Sequence, residues 1–370
     1  MHFEQVFSGL DREHLRLAMY SSTAAQVERA LQRPSGDLQA LMALLSPAAQ
    51  PYIEHMAQQA ARLTRQRFGH NINLFVPLYL SNLCANECDY CGFTMSNKIK
   101  RKTLNIKEIG DEIDIIKARK FDSVLLVSGE HETKVGIDYF CQVLPLIKQH
   151  FSQVAMEVQP LATEDYVKLV DLGLDGVMLY QETYQTATYA QHHTRGKKQD
   201  FYYRLNSPDR LGEAEVDKIG LGVLLGLDDW RLDALLMGHH LHHLENRYWR
   251  SKFSISLPRL RPCVGGIQPK SPINDVGLVQ LICAFRLFSE PLEISLSTRE
   301  SEELRDNLLP LGITHMSAGS STQPGGYAKP ASELNQFEIS DERSVAQISA
   351  MLSSKGYTPI FKDWEGAWRR

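Results

Sequence analysis

Eight short apolar, β-branched runs constrain the fold of this chain most strongly; each is followed by a polar or glycine-rich segment and then by a helical stretch. The runs cover residues 74–80, 123–128, 154–159, 176–181, 218–225, 253–258, 292–297 and 313–317. Between them the apolar spacing of 106–120, 139–150, 165–172 and 275–288 predicts helices. Eight β/α units over roughly 240–250 residues predict an α/β chain with a TIM-type (β/α)8 barrel. A doubly wound sheet also alternates strand and helix, and the count of eight is what favours the barrel. Before the first run, Leu38, Leu41, Leu44 and Leu45 recur at helical spacing, and helical pattern continues to Phe68 with Gly69 as a stop. Residues 1–70 therefore read as an N-terminal helical extension and 71–330 as the barrel. Residues 331–370 read as a C-terminal helical appendage packed on it, with a helix over 342–355 and an aromatic tail over 361–368.

A barrel of this kind places its functional groups just past the C-terminal ends of its strands. Polar groups stand there repeatedly. The second run leads into Ser128-Gly129-Glu130-His131, the third carries Glu157 and Gln159, and the fourth leads into Tyr180-Gln181-Glu182-Thr183. The sixth gives Arg259 and Arg261, the seventh Ser297-Thr298-Arg299-Glu300, and the eighth Ser317, Gly319 and Ser320. Any one of these is an unremarkable polar loop alone; their recurrence at one end of successive strands is not.

The loop after the first run carries Cys84, Cys88 and Cys91 in a C-x3-C-x2-C spacing. Three thiolates on one loop suit an iron–sulfur cube with one iron left open, since a fully ligated cube takes four cysteines. An open metal position is where chemistry takes place. The alternatives are a zinc knuckle lacking its fourth ligand, or three buried thiols, although zinc sites favour paired spacings. Cys141 and Cys283 fall on apolar helical faces and read as small core residues, and Cys263 follows the sixth run without a cysteine partner nearby. His239 and His243 share a helical face, but without the glutamate of H-E-x-x-H they read as an exposed or interface face.

With Lys+Arg 40 against Asp+Glu 44 the chain has no basic footprint for nucleic acid. The N-terminus lacks the blocks of a signal peptide, no run approaches transmembrane length, and six cysteines do not form a disulfide framework. These features predict a cytoplasmic protein with no membrane partner.

The cysteine loop, with Tyr90 before its last cysteine, resembles the signature of the radical S-adenosylmethionine (SAM) enzymes. The resemblance implies a 4Fe–4S cluster on Cys84, Cys88 and Cys91, with SAM on its open iron. It implies Tyr90 beside the adenine and Ser128-Gly129-Glu130 at the methionine ammonium, with Ser where the family's segment has its first Gly. Glu157 can accept from the ribose hydroxyls, its alternative being a structural ion pair. Arg204 and Arg210 are candidates for the SAM carboxylate, with Arg204 preferred. Ser297 and Arg299 form the best substrate anchor, because a guanidinium fork suits a carboxylate. The alternative for Arg299 is a rim salt bridge to Glu300 or Glu302.

The stretches Pro77 to Phe93, Glu157 to Leu161, Tyr180 to Tyr184, Lys218 to Gly222, Leu296 to Glu300 and Thr322 to Tyr327 narrow the likeness further. They resemble the tyrosine lyases of thiamine biosynthesis over nearly the whole chain. This implies reductive cleavage of SAM to a 5′-deoxyadenosyl radical and Cα–Cβ cleavage of L-tyrosine to p-cresol and 2-iminoacetate. It also implies a thiazole synthase as partner, a reduced flavodoxin or ferredoxin-type electron donor, a carboxylate anchor at Ser297 and Arg299, and Glu182 close to substrate and SAM. The rivals are the tyrosine lyase of hydrogenase maturation, a tryptophan-cleaving relative, and a non-catalytic iron–sulfur protein. The first of these carries further cysteines in a C-terminal extension, and here no cysteine follows Cys283.

Overall fold

The computed structural model describes residues 2–32, 36–329 and 335–362. Its centre is a closed parallel barrel of eight strands: β1 Asn71–Ser81, β2 Ser123–Ser128, β3 Gln153–Glu157, β4 Gly176–Met178, β5 Lys218–Gly222, β6 Lys252–Ser256, β7 Glu293–Leu296 and β8 His315–Ser317. Each strand pairs with the next, and β8 returns to β1 in the register Asn73↔His315, Leu74↔Met316, Phe75↔Ser317, which closes the sheet. All eight apolar runs are strands of this barrel. Both faces of such a sheet are covered, one by helices and one by the lumen, and this makes the strands read as apolar runs rather than alternating ones. The ladders of β3 to β6 stop two or three residues before the runs do, at Glu157, Met178, Gly222 and Ser256. The residues just beyond, including Pro160 and Pro258, leave the sheet to build loops at the barrel mouth.

Helices Ile106–Ala118, Ile137–Lys148, Thr163–Asp171, Trp230–Arg247 and Asp275–Phe288 lie outside the barrel. At the N-terminus, Leu38–Leu45 and Ile53–Phe68 match the helical pattern, and Gly69 (φ 63°) ends the second. Three shorter helices, Phe3–Ser8, Arg12–Tyr20 and Ala24–Ala30, precede them. This layer joins the same hydrophobic core as the barrel. Gln280 Nε2 locks it down by donating to the carbonyls of Leu44 and Ser46, both at 2.8 Å.

The sequence did not announce a ninth strand, β9 Thr358–Ile360, which pairs with Asn71–Asn73. Its origin is geometric. β2 begins to pair with β1 only at Val76, so one edge of Asn71–Asn73 would otherwise leave its backbone groups unpaired. The C-terminal helix spans Val345–Ser354, capped by Ser344 with Gln347, and so starts three residues later than the pattern suggested. In the aromatic tail, Phe361 packs edge-on to Phe121, and Trp364 and Trp368 lie outside the described residues. Among the described residues no helix is long and apolar enough to cross a membrane.

Candidate active site at the barrel mouth

The chain leaves β1 at Ser81 and makes a closed excursion that returns at Lys102, whose carbonyl accepts from Asn82 N at 3.1 Å. Arg101 holds this excursion from within: its guanidinium donates to the carbonyls of Asn82, Phe93, Thr94 and Asn97 at 2.6–3.1 Å. Cys88 N donates to Thr94 Oγ1 at 2.8 Å, and Cys91 N to the Cys88 carbonyl at 3.2 Å. A two-stranded ribbon, Glu87–Cys88 against His193–Arg195, docks the loop on the segment after β4. There Tyr90 Oη and His193 Nε2 are 2.5 Å apart, so the tyrosine ring is fixed by a histidine that burial keeps neutral, its pKa pulled down to about 2.

Close approach of β2 to this loop demands glycine. A Cβ on Gly129 would lie 2.4 Å from the Leu83 carbonyl oxygen and 3.2 Å from Cys84 Cβ. Cys84, Cys88 and Cys91 are free thiols, and burial pushes all three pKa values up, that of Cys84 to about 11. Cys88 packs with Tyr90, Leu224 and Leu227, while Cys84 and Cys91 border a second apolar group of Tyr79, Phe93 and Val127.

Beside the loop lies a buried charge network. Arg204 Nη1 donates to Glu130 Oε1 at 2.9 Å and its Nε to the Tyr180 carbonyl at 2.7 Å. Glu130 Oε2 also accepts from Asn86 Nδ2 at 2.7 Å. Lys198 Nζ donates to Glu182 Oε1 at 2.7 Å, lies 5.6 Å from the Tyr90 ring centroid, and shares Glu182 with Arg204 at 3.9 Å. Burial pushes Glu130 and Glu182 toward protonation, but Arg204 and Lys198 outweigh it and hold both pKa values below the ordinary range. Glu182 has φ 70°, a left-handed backbone that a non-glycine residue adopts at a cost.

The structure separates the two arginine candidates. Arg210 is committed to the carbonyls of Leu161 and Tyr203 and to Ser207 Oγ, and stacks over the Tyr203 ring. Arg204 is the one that enters the site.

The lumen opens beneath, lined by Tyr79, Glu157, Tyr180, Ser297, Arg299 and Phe337 among others. Arg299 is partly buried because it borders this cavity, and desolvation lowers its pKa. Its guanidinium makes no hydrogen bond or ion pair among the described residues; its Cζ lies over the Phe337 ring, 3.5 Å from the centroid. The rim salt bridge to Glu300 does not form, because Arg259 takes that carboxylate through Nε at 3.0 Å. Glu302 sits with Arg343 at 3.7 Å. Glu157 shares the lumen; burial drives its pKa up to about 7 against the pull of Arg299.

The radical SAM superfamily profile matches residues 78–237, and the biotin and thiamin synthesis associated domain matches residues 256–358. The 2-iminoacetate synthase of Escherichia coli (strain K12) is 54% identical over 364 residues, 98% of this chain and 97% of that protein. The chain belongs to the 2-iminoacetate synthase family. The synthase of Salmonella typhimurium (strain LT2) is 55% identical over 96% of this chain and 95% of its own. The crystal structure of HydG, a maturase of the FeFe-hydrogenase, superposes with a TM-score of 0.89 at 31% identity, covering 95% of this chain and 80% of that one.

As a radical SAM 2-iminoacetate synthase relative, the chain uses a 4Fe–4S cluster and SAM. Its cysteine loop fits the cluster. Among the described residues no three His, Cys, Asp or Glu side chains converge on a single ion. A cube has no need of that, because each thiolate binds a different iron. Three thiols kept neutral by burial are also the donors that an iron cluster, with its positive charge, makes easy to ionise.

Several residues of the site had no signal in sequence. Lys198 follows a short ribbon of mixed polarity, Asn86 and Arg101 lie within the loop they organise, and Phe337 comes from the C-terminal segment. Cys263 does approach the site, donating from Sγ to the Tyr90 carbonyl at 3.2 Å. The histidine-bearing helix presents its face to the chain's own N-terminus: Phe3 stacks on His240 at 4.0 Å, and His243 Nε2 lies 2.8 Å from Asp209 Oδ1.

Proposed function

We infer that this chain is a tyrosine lyase: it breaks the Cα–Cβ bond of L-tyrosine by a radical route, releasing p-cresol and 2-iminoacetate for thiamine thiazole formation. The observation that carries this reading is Arg299, a guanidinium at the edge of the lumen with Ser297 beside it and no carboxylate paired to it among the described residues. A planar cation without a partner in a desolvated cavity is matched by the carboxylate of an amino acid. When bound, the cluster supplies one electron to SAM, giving methionine and the 5′-deoxyadenosyl radical.

The chain's own residues bind, orient and shield. Cys84, Cys88 and Cys91 hold the cluster, and Tyr90, pinned by His193, flanks the adenine. Ser128, Gly129 and Glu130 border the methionine end of SAM. Arg204, tethered to Glu130, sets positive charge toward the SAM carboxylate, with Lys198 adding a second cation. Glu157 accepts from ribose hydroxyls, and Glu182 stands between SAM and the substrate amino group. On the same reading residues 1–70 and 331–370 are additions around a barrel of 71–330. The chain works in the cytoplasm, the electron comes from a reduced flavodoxin or ferredoxin-type protein, and a thiazole synthase takes the 2-iminoacetate. The test is an anaerobic assay with SAM, reductant and either tyrosine or tryptophan. Tyrosine-dependent p-cresol together with 5′-deoxyadenosine is expected; indole products from tryptophan and none from tyrosine would overturn the reading.

A further inference from the structure

The segment 335–341 crosses the barrel mouth as a strap, and its contacts reach two places at once. At one end it touches the cysteine loop. The Gln336 carbonyl accepts from Gly92 N at 3.1 Å, and Gln336 Nε2 donates to Cys91 Sγ at 3.7 Å. The fit leaves no room for a side chain at Gly92, where a Cβ would stand 2.5 Å from that carbonyl oxygen. Gln336 Oε1 accepts from Tyr79 Oη at 2.7 Å, which fixes the orientation of the amide and aims its N–H at the sulfur. The next residue, Phe337, carries the Arg299 guanidinium on its ring face. The strap is held from beneath: Gln336 N donates to the Thr322 carbonyl at 3.0 Å, Ser340 N to the Thr298 carbonyl at 2.9 Å, and Arg261 to Ser340 Oγ.

We propose that Gln336 and Phe337 are positioning residues that tie the Cys91 corner of the cluster loop to the Arg299 substrate anchor, so that one strap sets the cluster and the substrate carboxylate together. The inference rests on Arg299 being that anchor. Phe337 acts through Arg299: a guanidinium with no hydrogen-bonded partner among the described residues has many rotamers, and the aromatic face selects the one that sets the cation over the ring. Gln336 acts through Cys91. An N–H directed at a cluster sulfur favours the more negatively charged, reduced state, and hydrogen bonds to the sulfurs are among the terms that set a cluster's potential.

The test uses the anaerobically reconstituted full chain. Phe337→Leu keeps bulk but removes the π face, and Phe337→Trp restores it. Calorimetric L-tyrosine binding should weaken by about 2- to 30-fold in Phe337→Leu, the range of a cation–π contact, and stay near wild type in Phe337→Trp. An EPR-monitored redox titration should find the cluster potential of Gln336→Met shifted to more negative values and that of Phe337→Leu unchanged. Arg299→Lys separates the two levels of inference. If it weakens tyrosine binding while Phe337→Leu does not, the strap assignment to Phe337 falls and the anchor stands. If Arg299→Lys itself leaves binding unchanged, the anchor reading fails. An unshifted potential in Gln336→Met overturns the role given to Gln336.

Discussion

Lys198 Nζ lies 2.7 Å from Glu182 Oε1, both side chains are largely buried, and the ammonium stands over the Tyr90 ring. The pair holds an anion whose backbone is itself in the left-handed region, so the turn carrying Lys198 after the ribbon and the loop after β4 are fastened at a strained point. Removing one member of a buried pair leaves the other charge uncompensated, at a cost of about 3–5 kcal/mol. Arg204 Nη2 remains 3.9 Å from Glu182, so Lys198→Met should fall near the low end, about 3 kcal/mol. The double variant Lys198→Met/Glu182→Gln should recover at least part of this. Urea unfolding of the three proteins checks it, and equal losses in the single and double variants would mean the pair is not coupled.

Gly129 should prove as necessary to cluster loading as a cysteine. Its missing Cβ makes room for the Leu83 carbonyl at 2.4 Å, which is backbone and has nowhere to go without moving Cys84. Gly129→Ala should therefore lower iron bound per chain after reconstitution. Gly110→Ala, where an added Cβ meets nothing within 4 Å, should leave iron unchanged. Full iron loading in Gly129→Ala would show that the loop has more freedom than its packing suggests.

What could be read in the sequence was what local rules govern. Two-sided burial makes barrel strands into apolar runs, and all eight stood out. A tight loop places three thiols by spacing alone, and Arg299 follows a strand end where a barrel puts its chemistry. The rest depends on contacts between distant segments. Arg204 and Arg210 lie six residues apart, and only the tertiary fold sends the first to Glu130 and the second to the Leu161 and Tyr203 carbonyls. Lys198 reaches Glu182, and Phe337 reaches Arg299, from segments without periodicity. The three short N-terminal helices have too few turns to show a clear stripe. β9 exists because a longer β1 needs a partner, which nothing in Thr358-Pro359-Ile360 states.

Cys84→Ala, Cys88→Ala and Cys91→Ala should each abolish 5′-deoxyadenosine formation, whereas Cys141→Ala and Cys283→Ala should not. The first three share one loop, while Cys141 packs against the core from its helix and Cys283 is wholly buried in another. Iron analysis should return about four irons per chain, as one cube requires. About eight irons would reveal a second cluster.

Arg299→Lys keeps a positive charge but loses the planar fork and its seat on Phe337. Removing a charged hydrogen-bonding partner costs about 1.5–3 kcal/mol, or roughly 10- to 150-fold. Tyrosine should bind more weakly by that order, and a larger share of SAM should be cleaved without product, because positioning is a large part of rate. The ratio of p-cresol to 5′-deoxyadenosine in the two proteins is the decisive number. An unchanged ratio with unchanged tyrosine affinity would return Arg299 to a structural role at the rim.

Glu157 makes the stability of the ligand-free protein depend on pH. Burial raises its pKa from an ordinary 4.5 to about 7, so the folded state holds a proton that the unfolded state releases. The sign follows from linkage: the group's favourable contribution is complete below pH 4.5 and is lost as pH rises through 7. Above that, the folded chain carries an ionised carboxylate in the lumen at a cost of about 3 kcal/mol. Glu157→Gln removes the ionisation while keeping the shape. The variant should match wild type in denaturant unfolding at about pH 4 and exceed it at about pH 8 by about 3 kcal/mol, even as SAM affinity falls because the ribose loses a charged acceptor. A stability difference independent of pH would mean that Glu157 stays ionised throughout, held by Arg299.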